Sequence, residues 1–103
     1  MTETEAPLRG KQRRFLRGLG VGMKPTLHVG KDGVTDAVLA AVEHEVVDRE
    51  LIKVRLLETI EGDRKEIARD LAERTGTELV QVLGRTLLLW RRNPEEPKIE
   101  LPA

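Results

Sequence analysis

The sequence predicts a compact single α/β domain in which three helices pack on a four-stranded mixed sheet, in the order αβαβαββ. Three observations carry this. Apolar residues recur at helical spacing in three stretches, short β-branched or alternating runs follow them, and glycine or proline marks most changes of period. Strand-helix-strand succession favours parallel pairing, whereas the last two strands flank Gly84-Arg85 and form an antiparallel hairpin, so the sheet is mixed. At 103 residues the chain can bury a core unaided, and it has no cysteine to supply a disulfide.

The first helix is expected over residues 8–19, with Leu8, Phe15, Leu16 and Leu19 on its buried side and Arg13, Arg14 and Arg17 largely outside it. Gly18, Gly20 and Gly22 weaken its end, and Pro25 disfavours helical geometry at Lys24. A short strand follows at 26–29, closed by Gly30-Lys31-Asp32-Gly33. Thr35 caps the second helix, Asp36 suits its positive end, and Val38, Leu39, Val42 and Val46 share a face. Residues 51–57 alternate: Ile52, Val54 and Leu56 point one way, and Lys53 and Arg55 are expected on an exposed face. Gly62-Asp63 precedes a third helix buried through Ile67, Ala68, Leu71 and Ala72 and stopped at Gly76. Strands at 79–83 and 86–90 complete the sheet, the second apolar enough to be buried on both sides. Pro94 and Pro97 end regular structure, with a short edge segment expected at 98–101. Residues 1–7 are expected to be a flexible N-terminus, and 8–103 the domain.

The formal net charge is zero, but its placement is uneven. No carboxylate occurs from residue 8 to 31, where Arg9, Lys11, Arg13, Arg14, Arg17, Lys24 and Lys31 stand; acid predominates from 32 to 78. An ordinary solvated helix face mixes both signs, so the pattern predicts one basic face on an acidic body. The glycine turn adjoins that basic stretch. Glycine permits close approach of a phosphate, Lys31 supplies charge, and the following helix start presents N–H groups. A G-x-x-G pattern alone is weak, because strand-to-helix loops often carry glycine for geometry only.

Other chemistry finds little support. The turn is neither a phosphate-binding loop of NTPases nor a dinucleotide fingerprint. His28 and His44 lack metal-ligand spacing and are read as structural or solvated. The chain has no serine and no cysteine, which removes the commonest covalent nucleophiles. Carboxylates such as Glu66 and Asp70 lie beside Arg69 and Arg74, as on a solvated surface. Phe15 and Trp90 are the only aromatic residues, both read as core, leaving backbone phosphate contact as the available mode. A non-catalytic protein without cofactor or metal is expected. No stretch is apolar enough to cross a bilayer and the start is acidic, so a cytoplasmic location without membrane contact is expected.

The motifs Leu8-Arg9-Gly10-Lys11-Gln12-Arg13-Arg14-Phe15-Leu16-Arg17, Met23-Lys24-Pro25 and Val29-Gly30-Lys31-Asp32-Gly33-Val34-Thr35 resemble the opening of the YhbY-type proteins. These are the stand-alone bacterial form of the CRM domain (chloroplast RNA splicing and ribosome maturation). The resemblance continues through Glu50-Leu51-Ile52-Lys53-Val54-Arg55, through Val82 to Arg91, and into Lys98-Ile99-Glu100-Leu101-Pro102. It implies a fold similar to the C-terminal domain of translation initiation factor three. It also implies RNA binding, with ribosomal RNA in precursors of the large ribosomal subunit as the target. The implied RNA surface maps onto Gly30, Lys31 and Gly33 and onto Lys11, Arg13, Arg14 and Arg17, with Lys24, Lys53 and Arg55 as further candidates. Asp32 stands where the family commonly has asparagine, placing a negative charge inside the turn, and Trp90 replaces a more usual tyrosine. A monomer is expected. The alternative reading is a protein-interaction module that meets a basic ribosomal protein or assembly factor through acidic helices at 36–50 and 63–74. An RNA-modifying or cleaving enzyme is a distant third.

Overall fold

The computed structural model describes residues 8–103; the N-terminus expected at 1–7 lies outside the described residues. The elements follow in the expected order: α1 (Gly10–Val21), β1 (Leu27–Val29), α2 (Asp36–Arg49), β2 (Leu51–Leu56), α3 (Arg64–Thr75), β3 (Glu78–Leu83) and β4 (Thr86–Trp90). The strands lie in the spatial order β1-β2-β4-β3, with β1 parallel to β2 and the other two pairings antiparallel. The sheet is therefore mixed, as the succession of elements requires.

Local signals set the boundaries. Thr35 Oγ1 accepts from Val38 N at 3.2 Å to start α2, and Asp63 Oδ1 accepts from Lys65 N at 3.0 Å to start α3. Gly76 closes α3 at φ 65°, a left-handed conformation that glycine adopts without penalty. Between β3 and β4, Gly84 takes the first turn position at φ 59°, which matches the twist of a tight hairpin.

Both faces of the sheet are covered. Val29, Ile52, Val54, Leu56, Leu87 and Leu89 pack with Val42 and Val46 of α2 and Ala68 and Leu71 of α3. On the opposite face, Leu51, Val80, Leu88 and Trp90 pack with Leu16 of α1. Strands β2 and β4 are central, and β4 is buried on both sides as its unbroken apolar run predicts.

α1 departs from expectation in its phase. It continues through Gly18 and Gly20 to Val21, and its buried positions are Leu16 and Gly20. A Cβ at Gly20 would fall 2.5 Å from Leu88 Cδ1, so glycine lets the helix lie directly on β4. That contact turns Phe15 and Leu19 outward: they are 39% and 40% exposed rather than core. Lys53 also differs. α1 and its exit cover this part of β2, so Lys53 is half-buried and its Nζ donates to Met23 O at 3.0 Å.

The expected edge segment at 98–101 is not a strand. It is held by Glu50, which is fully buried at the end of α2. Glu50 Oε1 accepts from Lys98 N and Ile99 N, both at 2.8 Å, and Oε2 accepts from Asn93 N at 2.7 Å. Ile99 and Leu101 thereby pack against the cluster beneath α1. Glu50 has φ 67° and ψ −45°, a sparsely populated, strained conformation costing a side-chain-bearing residue roughly 1–3 kcal/mol. Three charge-assisted hydrogen bonds, each worth about 1.5–3 kcal/mol, outweigh that cost.

Candidate nucleic-acid interface

The glycine turn leaves the end of β1 and feeds α2. Gly33 N donates to Gly30 O at 2.9 Å, closing a four-residue turn with Lys31 and Asp32 at its exposed tip. Gly33 has φ 73° and needs glycine for backbone geometry; Gly30 has no such requirement, and a Cβ there would make ordinary contact with Leu57 and Thr59. Neither Lys31 nor Asp32 has a hydrogen-bonding or ion-pair partner among the described residues. The Asp32 carboxylate consequently competes with a phosphate for nothing inside the fold, but it lowers the positive potential at the tip.

The two adjacent arginines of α1 have different fates. Arg13 is directed at the sheet edge, where Nη1 donates to Leu79 O at 2.7 Å and Nη2 approaches Glu78 Oε1 at 3.3 Å. It ties α1 to β3. Arg14 and Lys11 are exposed on the outward face, Arg17 is half-buried on the flank, and Lys24 is exposed beyond the helix. These four have no ion pair among the described residues, in a segment that contains no carboxylate of its own.

α1 covers only part of its face of the sheet. Register aligns His28 with Arg55, Arg55 with Thr86, and Thr86 with Leu83, which makes one row across all four strands. His28 and Arg55 are exposed and Leu83 is 66% exposed, so this row is open. On β1 it lies two residues before Gly30. Arg55 therefore points to the same side of the sheet as α1, and the glycine turn follows at the end of the neighbouring strand β1. Of the expected candidates, Lys11, Arg14, Lys24, Lys31, Asp32 and Arg55 are exposed, and Gly30 and Gly33 shape the turn. Arg13 and Lys53 are engaged within the fold. His28 joins this side by strand alternation, whereas charge alone does not single it out.

The remaining surface differs in kind. α2 presents Asp36, Glu43 and Asp48 outward, and α3 mixes Arg64, Lys65, Arg69 and Arg74 with Glu66, Asp70 and Glu73. Among the described residues, no group of three or more His, Cys, Asp or Glu is placed to hold a metal ion, and no helix is long and apolar enough to cross a membrane.

A small α/β module with a basic, carboxylate-free first helix and a glycine turn at a strand-to-helix junction defines the class. The chain belongs to the CRS1 / YhbY (CRM) domain family, whose model matches residues 8–91. It is 39% identical over 95 residues to YqeI of Bacillus subtilis, named a probable RNA-binding protein, covering 92% of this chain and 99% of that one. A Haemophilus influenzae protein named as RNA-binding is 36% identical over 92 residues, covering 89% of this chain and 92% of its own. The solution structure of SAV1595 from Staphylococcus aureus superposes with a TM-score of 0.78 at 40% identity, covering 92% of this chain and 99% of that one.

Proposed function

We propose that this protein is a non-catalytic RNA-binding protein that holds the backbone of structured ribosomal RNA and assists assembly of the large ribosomal subunit in the cytoplasm. The observation that carries the reading is a carboxylate-free segment, residues 8–31, in a chain with zero net charge, whose Lys11, Arg14 and Lys31 are exposed and, like the exposed Arg55, without ion pairs among the described residues. A basic stretch with no acidic residue to offset it suits a polyanion. The names of the relatives support RNA as the partner, and the family resemblance supports its ribosomal origin.

Lys31 and the neighbouring cations neutralise phosphates, while the bare turn allows the strand to come near. With about five phosphates contacted, log affinity falls against log salt with a slope of about −3.5 on single strands, or about −4.5 with the duplex DNA coefficient as guide. Titrating nucleic-acid-free protein with ribosomal RNA fragments across a salt series tests this. Crosslinking in cells and mapping the contacted RNA tests the ribosomal assignment; contacts scattered over unrelated transcripts contradict it.

A second reading has one observation in its favour. Glu43, His44, Val47, Asp48, Asn93, Glu96 and Lys98 line an open hollow of about 670 Å³ between α2 and the C-terminal segment. Its mostly acidic rim suits a basic protein segment. The balanced charges of α3 do not extend that rim, so the acidic contact is confined to α2. Binding of a ribosomal protein without any RNA binding favours this reading over the first.

A further inference from the structure

Phe15 is one of two aromatic residues in the chain, and the fold spends it on the surface: it is 39% exposed, against 5% for Trp90. Lys11 lies one helical turn before it and Leu19, 40% exposed, one turn after, so the three share the outward face of α1. Arg14 borders the same face. Gly18 lies between Arg14 and Phe15 one turn further on, also exposed.

Gly18 has no role that the fold explains. Its φ is not positive, and a Cβ there would meet nothing within 4 Å. Alanine would be the better helix former at such a position. Gly20, two residues on, shows the opposite case, since its missing Cβ is what admits Leu88. The bare backbone at Gly18 therefore gives room to something outside the chain. Among the described residues, no acidic side chain pairs with Lys11 or Arg14. The surface accordingly combines a partly exposed aromatic ring, space beside it at Gly18, and cations on its border. That combination matches a nucleobase attached to a phosphate backbone, because every base offers a face for stacking and each nucleotide carries a charge.

We propose that the outward face of α1 is a platform for an unpaired RNA base. Phe15 stacks on the base, Leu19 extends the apolar contact, Lys11 and Arg14 neutralise the flanking phosphates, and Gly18 lets the strand lie against the helix. The proposal rests on the RNA-binding reading and adds that the bound RNA includes a single-stranded segment at this face.

The test compares the full chain with Phe15→Leu, Phe15→Trp, Gly18→Ala and a Lys11→Ala/Arg14→Ala double variant. The probes are a hairpin RNA with a single-stranded tail carrying 2-aminopurine and a blunt, fully paired RNA duplex. Phe15→Leu is expected to weaken tail binding about tenfold and to abolish 2-aminopurine quenching, with duplex affinity changed less than twofold. Phe15→Trp restores both. Gly18→Ala raises the melting temperature yet weakens tail binding several-fold, two opposite effects that damage to the fold cannot produce. If Phe15→Leu and Gly18→Ala bind the tail like wild type while the double variant loses affinity, the platform is wrong and the RNA-binding reading stands. Failure of the wild type to bind either probe overturns both. Retained RNA affinity in Phe15→Leu together with loss of a protein complex in cells assigns the face to a protein contact instead.

Discussion

Arg13 and Arg14 are the same residue type one position apart, and their roles diverge because a helix turns by about 100° between them. Arg13 reaches Leu79 O and Glu78, whereas Arg14 faces outward. Arg14→Ala should therefore weaken RNA binding with little change in stability. Arg13→Ala should lower the melting temperature by removing the link from α1 to β3; thermal melts beside RNA titrations check the split. Glu50 was illegible as a structural residue, since nothing in a glutamate between Arg49 and Leu51 announces three backbone donors from 43–49 residues away. Glu50→Gln replaces one accepting oxygen by an N–H₂ that faces a backbone donor, and should cost about 2–3 kcal/mol, with hydrogen exchange accelerating along the segment that Glu50 holds, at Asn93 or at Lys98 and Ile99. Glu50→Gly relieves the backbone but should also destabilise. A pH effect arises at Glu43, whose Oε1 and Oε2 accept from Arg91 at 2.9 and 2.7 Å. The hydrogen bond from Arg91 holds its carboxyl below the ordinary 4.5; burial opposes this weakly and the Arg91 charge adds to it. Because the folded pKa is depressed, this contribution is present above pH 4.5 and is lost as pH falls through the lower folded value. Glu43→Gln should narrow the melting-temperature difference from wild type as acid is added. The effect is small, since the Glu43 side chain is 54% exposed.

At the scale of elements, the sheet and the last two helices were readable because apolar periodicity and capping residues agree there. Thr35, Gly76 and Gly84-Arg85 each do what their type predicts. The phase of α1 was not readable, because its deepest contact is made by Gly20, and glycine carries no hydrophobic signal. Gly20→Ala gains helix propensity but meets Leu88, and should destabilise by roughly 1–3 kcal/mol unless the helix shifts; urea denaturation measures it. The alternation of β2 was legible, yet the polarity of Lys53 misled: its head finds Met23 O while its stem runs along the face that α1 covers. The C-terminal segment looks like an edge strand from Ile99 and Leu101, but a buried carboxylate organises it instead of a ladder.

At the scale of the whole molecule, the separation of charge was legible and the contact surface was only partly so. A zero sum hides a segment of 24 residues, 8 through 31, that holds no carboxylate. Folding leaves Lys11, Arg14, Lys31 and Arg55 exposed, engages Arg13 and Lys53 within the fold, and sets His28 beside Arg55 through register. Asp32→Asn should tighten RNA binding if the carboxylate faces a phosphate, and leave it unchanged if it faces away; a competition titration separates the two. The central claim is that these exposed cations bind an RNA backbone. Its most direct test is the salt dependence of ribosomal RNA binding by wild type and by a Lys11→Ala/Arg14→Ala/Lys31→Ala variant. Wild type should give a slope of about −3.5 to −4.5, and the variant should lose affinity and flatten that slope by about three contacts' share. Unchanged affinity and slope in a variant that folds normally would contradict the account.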